Sequence, residues 1–364
     1  MEGVEGDLLG AGVQRQPPLR PEALDRHVEM QGTERRRRRL RIGDTENEMV
    51  DAFARDLRHG KGLLEDREED KRMGEGENDW SDRQDRACDA MDPFAANALT
   101  ATLALDRPSF AAGDALPPFW HWMHFVEAAP RAALGRDGHP TPGWSLPATG
   151  LPRRMWAGGR LRFHAPLPLS APAERVSRLG ALVRKEGRSG PLAFVTMTRA
   201  ISGAAGLAVS EEQDIVYRED PTPGAIPASP ASRPAPEPGR WSCRWQLDET
   251  VLFRYSALTF NGHRIHYDLA YAREVEGYEG LVVHGPLLAT LLLELAREAA
   301  PERFTPSFEG RFAFRAASPV IAHESFSTHA EPRPGGLALW VAAGEAKTTE
   351  RLAMTAEIEW GRGV

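Results

Sequence analysis

The run Asn261-Gly-His-Arg-Ile-His-Tyr-Asp268 and the run Val282-Val-His-Gly-Pro-Leu-Leu288 hold the residues of this chain best suited to chemistry. An imidazole titrates near pH ~6.5, so at neutral pH it can take up a proton and give it back. His266 is the candidate proton carrier. Asn261 offers one amide oxygen and two N–H donors, enough to hold a water, although Asn-Gly is also a strong turn signal. Gly285 stands where an apolar helix begins, and a backbone N–H there meets negative charge at the positive end of the helix dipole. One preorganised donor of this kind contributes ~3–4 kcal/mol at a transition state. Base, water holder and anion donor together are the parts for proton transfer next to a carbonyl.

Four neighbours have roles that the sequence leaves open. His263 can orient His266 or contact a substrate, and Arg264 can meet a phosphate or form a surface ion pair. His284 can line the site or pack beneath it. Asp268 suits the cap of a helix starting near Leu269. Sequence spacing gives the pair His263 and His266 no third ligand, so no metal is expected.

These side chains need a rigid frame. Pro286 fits a first helical position, and Leu287, Leu288, Leu291, Leu292, Leu293, Leu295 and Ala296 leave that helix almost no polar face. A helix apolar nearly all round, spanning 286 to about 298, must be wrapped by other structure. Alternating segments supply the wrapping: Leu161, Phe163 and Ala165 in the first half, Phe312 and Phe314 in the second, with further strands at 193–201 and 352–360. The segment 159–165 resembles 310–316, and 190–195 resembles 335–340, in the same order, which points to a duplicated unit. The expectation is an α+β double hotdog, with two antiparallel sheets each wrapping a central helix. In the first half the helical segment is placed around Pro118 to Glu127. Its aromatics Phe119, Trp120, Trp122 and Phe125 are expected to shape a pocket or simply fill the core.

Composition sets the boundaries. Residues 1–77 are charged and poor in aromatics, with a basic run from Arg35 to Arg39, and read as a disordered tail. A first domain follows over 78–220, then a Pro-rich linker over 221–240, then a catalytic domain over 241–364. The net charge of −7 gives no electrostatic case for a nucleic-acid partner. The apolar run at Leu287–Ala296 is too short to cross a bilayer, so no membrane role is expected. The two cysteines, Cys88 and Cys243, lack metal spacing and read as free thiols of a cytoplasmic protein. No Gly-x-Ser-x-Gly elbow, phosphate loop or metal-spaced Cys/His cluster is present.

The segment Tyr255–Asp268 together with Gly280–Pro286 resembles the hydratase motif of MaoC-type hotdog proteins. Leu116–Trp122, Arg154–Gly159 and Lys185–Pro191 fit the branch of 3-hydroxyacyl-thioester dehydratase type 2 and mesaconyl-C4-CoA hydratase. The resemblance covers 78–364. It implies reversible addition of water to the double bond of a 2-enoyl-CoA thioester, with coenzyme A part of the substrate and no cofactor. It places His266 on the family histidine and Asn261 where better-known members carry aspartate. An asparagine cannot take a proton, so His266 would carry the proton while Asn261 positions the water. The other expectations open at this stage are a fatty-acid 3-hydroxyacyl-thioester dehydratase, a hotdog thioesterase and a non-catalytic acyl-CoA sensor. A homodimer is expected by analogy only.

Overall fold

The computed structural model describes residues 28–30, 84–141, 146–180, 182–187, 190–220, 233–344 and 350–361. Apart from Val28–Met30, the tail expected over 1–77 lies outside them, as do residues 221–232 of the expected linker.

A short strand β1 (Val28–Met30) precedes the strands of the first half: β2 (Gln84–Asp89), β3 (Arg153–Phe163), β4 (Ala173–Leu179), β5 (Val183–Gly187), β6 (Gly190–Gly203) and β7 (Gly206–Arg218). The second half holds β8 (Trp241–Gln246), β9 (Gly310–Ala316), β10 (Ser325–Arg333), β11 (Gly336–Ala343) and β12 (Arg351–Trp360). They join in one sheet in the order β2-β4-β6-β7-β3-β9-β12-β11-β10-β8-β1, with β5 as a hairpin partner of β6. The pairings are antiparallel throughout.

The order β2-β4-β6-β7-β3 in one half is repeated as β8-β10-β11-β12-β9 in the other. This is the double hotdog. The two segments that look alike in the sequence are partners in space. Leu161 pairs with Phe312, and Phe163 with Gly310, across the β3–β9 seam. Equivalent strands paired antiparallel relate the halves by a local two-fold, and the two sheets run together there instead of standing apart.

Helix α1 (Pro93–Thr102) starts at Pro93 with the Asp92 carboxylate accepting from the Phe94 N–H at 2.7 Å. It packs on α2 (Glu249–Thr259), its counterpart in the second half, capped by Asp248. Helix α3 (Leu269–Glu274) is capped by Asp268, which accepts from the Tyr271 N–H at 3.0 Å, as its sequence predicts. Helix α4 (Gly285–Ala299) is the wrapped one. Every residue from Leu287 to Ala296 is buried, against β8, β10, β11 and β12. Each buried leucine contributes about 1.5–3 kcal/mol of apolar burial.

The first half has no such long helix among the described residues. The helical segment expected around Pro118–Glu127 is one 3-10 turn, Trp120–Met123. Pro117 and Pro118 lack N–H donors, and Phe119 and Phe125 on either side of the turn stand at φ 76° and 57°. Both are conformations that stop a right-handed helix. The aromatics go to the core instead: Phe119 stacks on Trp122 and meets Phe312 and Phe314 across the seam. The Trp120 indole N–H donates to the buried Glu294 of α4 at 3.1 Å.

The described end of the Pro-rich stretch is docked. Ala235 N–H donates to the Glu350 carbonyl, and Leu352 N–H to the Arg233 carbonyl, both at 2.8 Å. Cys88 is exposed and Cys243 buried, and neither is in a disulfide among the described residues. No helix among the described residues is long and apolar enough to cross a membrane.

Candidate active site

The two motifs meet through backbone bonds before any side chain is considered. Val282 N–H donates to the Ile265 carbonyl at 3.0 Å, and Val283 N–H to the Val320 carbonyl at 2.8 Å. Ile265 packs with Tyr271, Ala272 and Val282 in a small apolar cluster that fixes the turn. His266 follows Ile265 in that 3-10 turn and is buried.

Its tautomer is set by one contact. Nδ1 of His266 lies 2.7 Å from the Val282 carbonyl oxygen. A carbonyl only accepts, so Nδ1 carries the hydrogen and Nε2 keeps a lone pair. Burial pushes the His266 pKa down to about 3, opposed by the bond to Val282. The ring is therefore neutral at pH 7, a base with a free acceptor nitrogen.

His284 sits behind it. The two rings stack with centroids 3.6 Å apart and planes 17° from parallel. His284 is fully buried, and its Nε2 is 2.8 Å from the Ser256 hydroxyl. Of the two roles open to His284, the structure gives it the packing one. Such a residue supports His266 and is sealed away from substrate. Burial, then the charge the neighbouring histidines would carry, holds its pKa well below the usual range.

Gly285 follows directly as the first residue of α4, where the opening N–H groups of a helix have no intrahelical acceptor. Its glycine identity has a cause that sequence does not show. A Cβ there would come within 2.6 Å of the Trp156 ring, contributed by β3 of the other half. The missing side chain makes room for an indole. The buried Trp156 Nε1 has no hydrogen-bond partner among the described residues.

Asn261 forms a tight local turn, its Oδ1 accepting from the His263 N–H at 3.0 Å. His263 is buried, edge-on to His266 at 5.5 Å. Burial and the nearby His139 push its pKa down to about 2. Arg264 forms an ion pair with Asp268. It donates to Asp268 (2.7 Å) and to the Arg136 carbonyl (3.0 Å), and lies 4.3 Å from the Tyr271 ring. It clasps the site together.

Sequence reasoning missed the partners from the first half. The loop carrying Arg136, Asp137, Gly138 and His139 lies directly on the Asn261–Asp268 run. Arg264 N–H donates to the Asp137 carbonyl at 2.8 Å. Gly138, at φ +85°, lies so close to the Gly262 carbonyl that a Cβ would fall 2.0 Å from its oxygen. The His139 ring is 4.3 Å from the His263 ring, and its Nδ1 is 3.3 Å from Asp137 Oδ2. The Asp-Gly-His triplet reads as a turn, and nothing in one sequence ties it to a motif more than a hundred residues away.

Asp137, His139 and His263 have ligand-capable atoms within 4.8 Å of one another. Arg154, on β3 beside them, opposes a cation there: its charge lowers the pKa of both imidazoles and of the Asp137 carboxyl. Its neighbour Arg153 is taken up by Glu276 at 2.5 Å, whereas Arg154 has no such ion pair among the described residues. The site thus presents neutral imidazoles, one carboxylate and the guanidinium of Arg154, whose charge favours that carboxylate.

A cavity of about 350 Å3 lies at the opposite end of α4, lined by Arg107, Phe110, Leu116, Phe119, His121 and Arg297, among others. Arg297 is twelve residues beyond Gly285, or ~18 Å along the helix. The expected acyl pocket, if read onto this cavity, is remote from His266.

Residues 119–322 match the model of the family described as hydroxyacyl-thioester dehydratase type 2. The chain is 42% identical to a mesaconyl-C(4)-CoA hydratase of Chloroflexus aurantiacus, over 78% of this chain and 97% of that protein. It is 30% identical to the mitochondrial hydroxyacyl-thioester dehydratase type 2 of Schizosaccharomyces pombe, over 57% of this chain and 75% of that one. Its fold is shared with HtdX of Mycobacterium tuberculosis (TM-score 0.54, 18% identity, 77% of this chain and all of that one). It is shared also with a MaoC-like dehydratase (TM-score 0.55, 14% identity, 78% of this chain and 98% of that one).

Proposed function

This chain belongs to the hydroxyacyl-thioester dehydratase type 2 family, and from that premise we propose that it adds water reversibly to a 2-enoyl-CoA thioester, with mesaconyl-C4-CoA as the substrate. The observation that carries the reading is the state of His266: Nδ1–H tied to Val282 and Nε2 left as acceptor, with its ring stacked on His284, the residue that caps the start of α4.

In the hydration direction, a water held by the Asn261 amide gives its proton to His266 Nε2 as its oxygen bonds to C3 of the enoyl group. The C2=C3 electron pair moves toward the thioester carbonyl, and the charge on that oxygen is met by the Gly285 N–H at the positive end of α4. The imidazolium then delivers the proton to C2. Hydrogen and hydroxyl both come from the one water, so the reaction needs no cofactor. Asn261 and the neutral His266 divide the labour that two ionisable groups share when an aspartate stands at the first position.

The choice of a carboxylated acyl group is supported by Arg154. A guanidinium beside the imidazoles, held in no ion pair among the described residues, has nothing to offer a plain fatty acyl chain but suits a substrate carboxylate. Two free thiols accord with a reducing, cytoplasmic setting.

The experiment is a paired assay with mesaconyl-C4-CoA and crotonyl-CoA, following enoyl absorbance and free thiol together. Loss of absorbance without thiol is expected, faster with the dicarboxylic substrate. Replacing Arg154 by Gln should lower kcat/KM for mesaconyl-C4-CoA by about 10–100-fold, the worth of one charge-assisted bond, and leave crotonyl-CoA within about threefold. Thiol release would instead mean a thioesterase, and binding without turnover a sensor. Equal losses on both substrates would remove Arg154 from substrate selection.

A further inference from the structure

The cavity at the far end of α4 has chemistry of its own that the reaction at Gly285 does not use. We propose that it is a second binding site, which takes a small hydroxylated monocarboxylate. The apolar body lies among Phe110, Leu116, Phe163 and Phe308, the carboxylate meets Arg107 and Arg297, and the hydroxyl meets His121. The site is separate from His266 and does not depend on the hydratase reading.

Its size suits a small organic molecule. The volume of about 350 Å3 falls in the range of pockets that enclose one, ~300–1,000 Å3. Leu116, Phe119 and His121 form one wall, beside the 3-10 turn that stands where the sequence predicts a helix.

Two cations in the lining share one carboxylate. Arg107 Nη2 forms an ion pair with Glu294, and Arg297 Nη1 lies 3.5 Å from the same oxygen. Nη1 of Arg107 is buried without a hydrogen-bond partner among the described residues. A buried charged donor left unmade is costly, and a second carboxylate would accept from it. The Arg297 pKa is lowered, by burial first and by the Arg107 charge as well, with Glu294 opposing. A ligand anion between the guanidiniums relieves that repulsion. Asp114, also in the lining, is exposed, and its Oδ2 already accepts from the Ala111 N–H at 2.7 Å. Asp106 and Glu298 line the neighbouring cavity and not this one.

The third polar group is an imidazole of fixed tautomer. His121 is only 4% exposed, and its Nε2 lies 3.3 Å from Oε2 of the buried Glu211. Burial works to raise the Glu211 pKa, but Arg199 and His121 outweigh it and hold the group below the usual carboxylate range. An ionised carboxylate only accepts, so Nε2 of His121 carries the hydrogen and Nδ1 keeps a lone pair. That lone pair suits a hydroxyl of the ligand, as the guanidiniums suit its carboxylate. The phenylalanines leave the rest of the cavity apolar.

The test is calorimetric titration of the whole chain with 3-hydroxyoctanoate, its methyl ester and octanoate. The hydroxy acid is expected to bind with a Kd of about 1 mM or tighter. The ester, which cannot make the charge-assisted bonds, should bind at least about tenfold more weakly, and octanoate, short of one hydrogen bond, about three- to tenfold more weakly. Arg297→Gln should bring the acid down toward the affinity of the ester and leave the ester within about twofold. His266→Ala should bind the hydroxy acid as the wild type does. Equal affinity of acid and ester, a hydroxyl without effect, or binding only above about 10 mM would each overturn the proposal. Loss of binding in His266→Ala would put the ligand in the catalytic site and overturn it as well. No turnover enters these measurements, so their outcome is independent of whether the chain hydrates an enoyl-CoA.

Discussion

His266 and His284 lie ring over ring, 3.6 Å between centroids, and only the first has a nitrogen left for chemistry. His266 spends Nδ1 on Val282 and keeps Nε2. His284 spends Nε2 on Ser256 and has its Nδ1 sealed in the interior without a hydrogen-bond partner among the described residues. Two imidazoles that look equivalent in the sequence are thus the proposed reacting group and its backing.

This asymmetry predicts two different failures. His266→Ala should lower kcat by about a thousandfold or more, within the range of a lost general acid–base group combined with its orientation. Its circular dichroism should be unchanged. His284→Ala empties a fully buried site and should lower the thermal midpoint by several degrees, with a smaller loss of kcat. Wild-type turnover by the His266 variant would move the reaction centre elsewhere.

The pH dependence follows from burial. His266 is depressed to about 3 and His263 to about 2, with His139 and His284 depressed as well. In the unfolded chain each titrates near ~6.5. Below that pH the unfolded state takes up protons that the folded state refuses, so stability is fully present above ~6.5. It is lost as pH falls through the window down toward 3, by at most about 1.4 kcal/mol per pH unit for each histidine. The thermal midpoint should drop steadily between pH 7 and pH 5. Over that range kcat at a temperature well below the midpoint should stay flat, because His266 is already neutral. An acid limb in kcat near pH 6.5 would show an exposed, ordinary imidazole instead.

Gly285→Ala tests the seam between the halves. The new Cβ would meet the Trp156 ring at 2.6 Å, and the indole cannot yield without disturbing Trp122 and Phe314, which it touches. Alanine is the better helix former, so on propensity alone the change would stabilise. A loss of about 1–3 kcal/mol from overpacking is expected instead, together with lower kcat. A combined Gly285→Ala and Trp156→Leu variant should recover part of the stability. Urea unfolding of the single and double variants checks this.

At the far end of α4, Glu294 is buried and takes the Trp120 N–H at 3.1 Å, with Arg107 on its other oxygen and Arg297 at 3.5 Å. Glu294→Ala leaves Arg107 without its counter-charge and should cost about 3–5 kcal/mol. kcat should move little once folded protein is compared with folded protein, since the proposed site at the start of α4 lies ~14 Å away along the helix. Stability and kcat measured on the same preparation separate the two effects.

The sequence alone was enough for the duplicated double hotdog, because two alternating segments and an all-apolar helix admit few other ways to bury their surface. It also offered His266, Asn261 and Gly285 as candidates, since their types and spacing lie within one continuous stretch, and it placed the Asp268 cap. What it could not reach was anything decided across the seam. The Asp137 and His139 pair, the indole over Gly285 and the guanidinium of Arg154 all come from the first half, more than a hundred residues before the groups they touch. Local pattern carries no record of such distances. The same holds for Arg264 and His284, whose side chains could have faced substrate until folding gave one a carboxylate and a carbonyl and the other a closed interior. Periodicity and local spacing wrote the frame, and long-range packing, which alone sets burial and therefore protonation and direction, chose which of the gathered side chains can react.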